Sequence, residues 1–562
     1  MINKHMPNPK PLIQCMPPKL IWRDNSTPVS EKYDDIYFSS EGAVSETETV
    51  FLKACGLPER WKKFTNFTIC ELGFGSGVNF LTTMKMWQKT KPKEGRLHYL
   101  SIENHPLKRS QLKKILVSLP ELKKFGEELI KIWPGPVKGF HRLHFGDVTL
   151  TLVHDNVSCA LNEIDACVDA WFLDGFSPSK NPDMWSDEII KKIYHLSAAG
   201  ARLGTFTAAG SVRNSLEKVG FKVDKKDGFG RKRHRIEATL KGKRVNKEIT
   251  LKPTIIGAGI AGASLALAFK RRGIIPHIIH DKDFIAASHN KVALVKPRLD
   301  LQDRPESRFF LGSYIYAINL YNNYSPAKGV VHIPKSNDEM TRFKKLCSQS
   351  PLPKNHLKYD SEENKLILGE SLVISPKLII HDWLKNIHLG EEILKESNII
   401  FLAAGFGLKD MPEVKNISLR FSRGQITSTK ANLSSAVSYG GYAIPSGGQV
   451  IVGATHNRLD EHHPSIPRKS DDIENINNLK KFTGIAATLT GEDSRSSVRV
   501  TSKNTLPIIS HLNKDTWLFT GLGSRGFTFA PLLAEAIVSK ILKEPMPIGK
   551  SVWAKFNYTS VD

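Results

Sequence analysis

The sequence predicts an α/β chain built as two successive doubly wound domains. Its 562 residues exceed what one core usually supports, since single cores seldom grow beyond about 250–300 residues. From about Thr68 to Leu240, apolar strand-like runs (FTICELG, LHYLSIE, VDAWFLD, RLGTFT) alternate with helical stretches and end near Gly or an acid. After a basic stretch, RKRHRIEATLKGKRVNKEI, the pattern restarts at TIIGAGIAG, which places the domain boundary near Arg244 to Thr250. The expected organisation is a loose Pro-broken tail over residues 1–17, a first domain over 18–245 and a second over 250–562.

Composition narrows the class. With 40% hydrophobic and 24% charged residues the chain is ordinary folded protein, not a long disordered one. Eighty Lys and Arg against 56 Asp and Glu give a formal charge of +24, a field that attracts polyanions, though a generally basic proteome would produce it too. The cysteines Cys15, Cys55, Cys70, Cys159, Cys167 and Cys347 are scattered, with no Cys-x-x-Cys pair and no zinc spacing, so neither a metal site nor a disulfide frame is expected. The N-terminus lacks the continuous apolar core of a signal peptide, and the longest uncharged run, Pro253 to Phe269, is short and Gly-rich for a membrane span. A cytoplasmic protein is expected.

In FTICELGFGSG, a buried strand enters a turn where Gly73, Gly75 and Gly77 let the backbone approach a ligand, although a plain tight turn has the same pattern. Glu71 precedes this turn, the next strand ends in Glu103, suited to ribose hydroxyls, and VTLTLVHD ends in Asp155, suited to an adenine amino group. Acids at successive strand ends fit a nucleoside bearing a sulfonium better than one bearing a pyrophosphate, which favours S-adenosylmethionine.

The fourth strand end is VDAWFLDGFSPSKNPDMW. Asp174 closes an apolar strand where open α/β sheets place their chemistry, and its carboxylate is suited to orient an amine and accept its proton. The plainer reading is a helix-capping Asp before a structural loop. Phe176, Pro178 and Trp185 are expected to wall a pocket for a flat base.

These residues carry a resemblance. EKYDDIYFS, ETETVFLKACGLPERW, ELGFGSGVNFL, DAWFLDGFSPSKNPDMW, TFTAAGSVR and GFGRKR closely resemble the methyltransferase half of the bifunctional tRNA 5-methylaminomethyl-2-thiouridine biosynthesis family, over about Leu20 to Leu240. The resemblance implies a class I, Rossmann-like fold, methyl transfer to the aminomethyl group of a wobble uridine, and Asp174 as catalytic carboxylate. Two departures stand out. His154-Asp155 replaces the usual Gly-Asp and is expected to crowd the adenine acid, and Arg233-His234 replaces the end of Lys-Arg-Glu.

In the second domain, KPTIIGAGIAGASLALAFKRRG gives Gly257-x-Gly259-x-x-Gly262 between a strand and a small-residue helix, the dinucleotide fingerprint in its required context. Its acidic partner, due roughly 20 residues on, is Asp281, although His280 holds the more usual register. No later nicotinamide fingerprint follows, which favours a flavin. Gly521, Gly523, Ser524 and Gly526 precede a helical run and are expected to meet the flavin chain through backbone N–H groups. Arg499 and Arg525 are candidates for a substrate carboxylate, or equally for structural ion pairs.

This half resembles the flavin half of the same family, within the D-amino-acid oxidase-like proteins. AASHNKVALVKPRL matches the loop over the flavin, which implies FAD contacts at Ser288 and Asn290; IIFLAAGFG, SRGQI, GYAIPSGGQVIVGAT and TGLGSRGFTFAPLLAEAI follow in family order. The implied fold is an FAD-binding α/β domain with an inserted α+β substrate subdomain. His289 stands for a glycine, Asn504 for an acid, and the chain is short between HDWLKNIHLG and NIIFLAAG, where the family has a strand pair.

Together the resemblances imply tRNA as partner, with FAD and S-adenosylmethionine as cofactors. FAD-dependent removal of a carboxymethyl group from 5-carboxymethylaminomethyl-uridine would leave a primary amine, and the methylase would then convert it to methylaminomethyl. Arg231, Lys232, Arg233, Arg235, Lys241, Lys243 and Arg244 are candidates for tRNA phosphates, or a solvated linker. The rival readings are a small-molecule amine oxidase fused to an amine methylase, and a degenerate flavin-fold module bracing an active methylase. No membrane or metal partner is expected, and a monomer is compatible with all of these roles.

Overall fold

The computed structural model describes residues 10–23, 27–37, 42–230, 232–244, 249–281, 283–284, 286–459, 465–490 and 494–557. The chain divides into two compact units, Gln14–Ile249 with Ser539–Lys550, and Thr250–Val538 with the two chain ends.

The main sheet of the first unit has eight strands: β1 (Asn66–Leu72), β2 (Arg96–Glu103), β3 (Gly139–Phe145), β4 (Val148–His154), β5 (Val168–Leu173), β6 (Ser197–Thr205), β7 (Phe221–Asp227) and β8 (His234–Leu240). Their order is β7-β8-β6-β5-β1-β2-β4-β3. The run from β6 to β4 is parallel, whereas β3, β7 and β8 join antiparallel. Strand β1 is apolar on both faces because both are covered: Phe67 and Ile69 enter one core with Phe80, Met84 and Trp87, while Cys70 and Leu72 enter the other with Ile102, Trp171 and Leu173. The chain runs outward from β1 to β2 and β4, then returns to β5 on the opposite side. The carboxyl ends of β1 and β5 therefore frame the switch point where such sheets bind ligands.

The second unit carries β9 (Pro253–Ile256), β10 (His277–Ile279), β11 (Leu389–Gly390), β12 (Ile399–Leu402), β13 (Ile508–Asn513) and β14 (Thr516–Thr520), ordered β11-β10-β9-β12-β14-β13. Only the β13–β14 hairpin is antiparallel. The α+β part is an eleven-stranded sheet, contributed partly by Ala293–Ile374 (between β10 and β11) and partly by Leu419–Ser502 (between β12 and β13). It is thus two insertions folded together. In the shortened flank, two-residue β11 pairs with β10, and the chain turns back into β12 with no further strand.

Two boundary expectations change. Of the tail expected over residues 1–17, residues 1–9 lie outside the described residues, and 10–17 are not loose: Leu12 is fully buried and its N–H donates to the Leu301 carbonyl (2.9 Å), while the Cys15 N–H donates to the Pro136 carbonyl (2.9 Å). Proline-rich chain has little backbone freedom to lose, so a few such contacts order it. Ser539–Lys550, placed with the second domain from sequence, belongs to the first unit. There the Met546 N–H meets the Asp165 carbonyl at 3.0 Å and Lys540 pairs with Asp165 at 2.8 Å. Among the described residues no helix is long and apolar enough to cross a membrane, and no group of three or more His, Cys, Asp or Glu could hold a metal ion.

Candidate functional site

Residues 73–77 leave β1 at the switch point and lead into helix α1 (Val78–Thr90), with Gly77 in the left-handed region at its N-cap. Gly73 is obligatory: at φ +90° a Cβ there would stand 2.7 Å from the Asp174 carbonyl oxygen. Glu103 braces the loop, accepting the Gly75 N–H at 2.9 Å and the His105 N–H at 2.7 Å, and each oxygen keeps a lone pair. Asp155, at the end of β4, accepts the Asn156 N–H at 2.9 Å and lies 3.8 Å from the Lys138 ammonium. The expected crowding by His154 does not occur. Its ring is sealed in the core beside Trp133 and His141 and bonds the Val137 carbonyl at 3.0 Å, and burial holds it neutral, well below the usual imidazole range.

Asp174, half-buried at the end of β5, accepts the Gly175 N–H (2.9 Å) on one oxygen and Asn79 Nδ2 (2.7 Å) on the other. The same Nδ2 donates to Glu71 Oε1 at 2.9 Å, so one amide group saturates its two hydrogens on two carboxyls. Thr47 Oγ1 stands 2.7 Å from Asn79 Oδ1, which fixes the amide with nitrogen towards the acids. Glu71 is fully buried and cannot touch a nucleoside, contrary to the expectation of a direct ligand; it positions Asn79. Burial lifts the Glu71 carboxyl to about 8 against the hydrogen bonds from Ser101 and Asn79. Burial, then the Glu46 charge, lift Asp174 to about 7, opposed by Asn79, the Gly175 N–H and Lys232. A carboxyl poised near neutrality can take up a proton from an amine.

Phe176 stacks on Tyr33 (ring centroids 4.4 Å apart) and meets Tyr37 edge-on at 5.8 Å. Neither tyrosine stands out in the sequence, although both lie in the EKYDDIYFS segment. Burial, then the Glu103 charge, raise the Tyr37 phenol. Pro178 is half-buried, but Trp185 is no wall: only 6% exposed, it donates Nε1–H to the Phe176 carbonyl at 3.1 Å and backs the loop from within.

The basic stretch separates into two sets. Arg235 is buried, donating to the Asp227 carbonyl and pairing with Glu237. Arg244 pairs with buried Asp169 and lies over the Phe64 ring. Both are structural cations, unavailable for phosphates. Lys232, Arg233, Lys241 and Lys243 are exposed, with the Lys232 ammonium 3.8 Å from Glu46 and 3.8 Å from the Phe206 centroid. Arg231 lies outside the described residues.

In the second unit a cavity of about 470 Å³ is lined by Gly257, Gly259, Asp281, Ser288, His289, Asn290, Arg499 and Gly521 through Gly526. A Cβ at Gly262 would collide with the Gly257 carbonyl, and one at Gly257 would stand 2.6 Å from the Ala403 oxygen. The turn is therefore as close as backbone allows, at the start of α2 (Ile260–Lys270). Ser288 Oγ accepts the Ile260 N–H at 3.0 Å, and Asn290 accepts from Arg495, which also holds the Ala286 carbonyl. Arg495, unforeseen from sequence, fixes the covering loop. Asp281 is exposed at the rim and caps the Asp283 N–H at 2.9 Å. Gly521 to Gly526 lead into α3 (Gly526–Leu542). His289 lines the cavity, its imidazole lowered by burial and then by Arg495.

The two candidate cations differ. Arg499 donates to the Thr455 carbonyl (3.3 Å) and lies 3.3 Å from His456 Nδ1, packed against Gly424. Arg525 also lines the cavity, and among the described residues nothing hydrogen-bonds or ion-pairs with its guanidinium, which burial and then Arg298 lower to about 10. Beside it stands Lys296, lowered to about 7 by burial, then by Arg525.

Residues 120–241 match the family of S-adenosyl-L-methionine-dependent methyltransferases, and residues 383–540 match that of FAD dependent oxidoreductases. The chain is thus an enzyme with both activities, using S-adenosylmethionine and FAD. The close glycine turn at the start of α2 and the cavity beyond it, lined by Gly257, Gly259 and Gly521 to Gly526, have the backbone-walled shape that fits FAD. Three relatives are tRNA 5-methylaminomethyl-2-thiouridine biosynthesis bifunctional proteins MnmC. That of Caulobacter vibrioides is 36% identical over 97% of this chain and 98% of its own, that of Maricaulis maris 34% over 94% and 94%, and that of Idiomarina loihiensis 32% over 94% and 96%. Near-complete coverage of both partners at this identity makes the chain a member of the MnmC family of bifunctional proteins.

Proposed function

We propose that the enzyme finishes a wobble-uridine modification of tRNA, in the cytoplasm, in two steps. The second unit removes the carboxymethyl group from 5-carboxymethylaminomethyl-(2-thio)uridine, and the first methylates the resulting 5-aminomethyl-(2-thio)uridine to 5-methylaminomethyl-(2-thio)uridine. FAD supplies the two-electron acceptor for the first step. Hydrolysis of the carbon–nitrogen double bond so formed releases glyoxylate and leaves the primary amine.

The observation that carries this reading is the Asp174 carboxyl, held by Asn79 at the switch point with a proton affinity near neutrality. An amine attacks a methyl sulfonium only through a free lone pair. Asp174 orients the amine and takes its proton, while Phe176 with Tyr33 and Tyr37 offers stacking area for the uridine ring. Glu103 and Asp155 take the ribose and adenine of S-adenosylmethionine across the glycine turn. In the oxidase cavity, Arg525 receives the substrate carboxylate.

The test is tRNA carrying 5-carboxymethylaminomethyl-uridine, incubated with holoenzyme without and then with S-adenosylmethionine. Aminomethyl-uridine should accumulate first and convert on addition of the methyl donor. Oxidation of free N-alkyl glycines instead, with tRNA left intact, would assign the cavity to small amines.

A further inference from the structure

Lys296 follows the short strand Ala293–Val295 and lines the same cavity as Arg525. Its ammonium nitrogen lies 3.0 Å from His332 Nδ1 and 2.5 Å from Ser438 Oγ. Ser438 also stands 3.3 Å from the Gly441 carbonyl, a partner for its own hydrogen, so its lone pair faces the lysine. His332 Nε2 looks towards Glu339 Oε1 at 3.6 Å, which leaves Nδ1 as the acceptor. A neutral amine has two hydrogens and one lone pair. His332 and Ser438 use the two hydrogens, and the lone pair remains for whatever occupies the cavity. Among the described residues no carboxylate lies at ion-pair distance from Lys296.

We propose that Lys296 accepts the proton of the substrate's secondary ammonium, next to the carboxylate held by Arg525. This rests on the proposed oxidase substrate, in which one methylene separates carboxylate from nitrogen. The step balances: the ammonium N–H bond breaks, a Lys296 N–H bond forms, the substrate keeps its nitrogen lone pair, and no electrons change owner. After product leaves, Lys296 returns its proton to water. The groups facing Lys296 are Arg525, Lys335, His332 and Glu339, and all but Glu339 are cationic or neutral. Burial and then Arg525 hold its proton affinity down to about 7, and a carboxylate on Arg525 cancels the second of these causes. The base therefore strengthens when its proton donor arrives.

The experiment is anaerobic flavin reduction by tRNA bearing 5-carboxymethylaminomethyl-uridine, followed across pH 6–9 for wild type, Lys296→Met and Lys296→Arg. Bound flavin, read from its absorbance, reports whether each variant is intact; should Lys296→Met emerge flavin-free, Lys296→Arg carries the same test. Wild-type rates should rise with pH through a break at or above about 7. Both variants should lose that break and run about 100-fold slower at pH 8. A Lys296→Arg enzyme near the wild-type rate, or a Lys296→Met enzyme with the wild-type profile, overturns the assignment and leaves the oxidase reading standing. A wild-type flavin that stays oxidised at every pH removes the substrate reading, and this assignment with it.

Discussion

Asn79 Nδ2 stands 2.7 Å from Asp174 Oδ2, and that hydrogen bond ties the first turn of α1 to the end of β5 across the switch point. Because the other amide hydrogen is spent on Glu71, Asn79 cannot turn away without stranding a buried acid. Replacing Asn79 with Ala removes a bond that favours the Asp174 anion. Since Asp174 accepts a proton only as the anion, methyl transfer should fall as pH drops through about 7 in the wild type. In Asn79→Ala the midpoint should move to higher pH. Methylation rates of aminomethyl-tRNA measured from pH 6 to 9 check this, and an unmoved midpoint would show that Asn79 does not tune the carboxyl.

Glu71 gives a stability prediction with a definite sign. Its carboxyl holds a proton up to about 8 in the folded chain and sheds it near 4.5 when unfolded, so its contribution is complete below 4.5 and lost as pH rises through 8. Glu71→Gln is neutral throughout. Its melting temperature should gain on wild type steadily between pH 5 and pH 8, by calorimetry of the full chain.

Arg525→Met should raise KM for the carboxymethyl substrate at least 10-fold, as loss of a charge-assisted pair costs about 1.5–3 kcal/mol. Methylation of tRNA already carrying aminomethyl-uridine should be unchanged. Arg499→Met, which breaks contacts to Thr455 and His456, should instead show itself in melting temperature.

The exposed and paired cations should part in the same way. Replacing Arg233, Lys241 and Lys243 with Ala should weaken tRNA binding and flatten its salt dependence, by about 0.7–0.9 log units for each phosphate the surface no longer neutralises. Arg235→Ala should cost about 3 kcal/mol of stability, because Glu237 keeps its charge without a partner. Equal salt slopes for wild type and the triple variant would take this surface out of the tRNA path.

The two largely parallel sheets were legible in the sequence because a parallel strand covered on two faces is an apolar run ending at a glycine turn, as β1 and β9 show. Asp174, Glu103 and the two glycine loops were legible for the same reason: strand ends fix their place. Asn79, Tyr33, Tyr37, Lys296 and Arg495 do not stand out. Their roles depend on partners up to 209 residues away, as with Arg495 and the Ala286 carbonyl, and no local spacing encodes that. Arg235 and Arg244 misled in the opposite direction, since a basic string looks the same whether its members face water or, like Arg244, meet an acid 75 residues earlier. Trp185 looked like a wall for want of any sequence sign that its loop turns it inward.

The central claim is that Asp174 sets an amine of tRNA against the methyl group of S-adenosylmethionine. Mass analysis of tRNA nucleosides tests it most directly, with aminomethyl-uridine tRNA and methyl donor given to the intact enzyme and to Asp174→Ala. The intact enzyme should yield methylaminomethyl-uridine, and the variant should convert the aminomethyl form at least about 100-fold more slowly. Equal yields of the methylated nucleoside at equal rates would contradict the account.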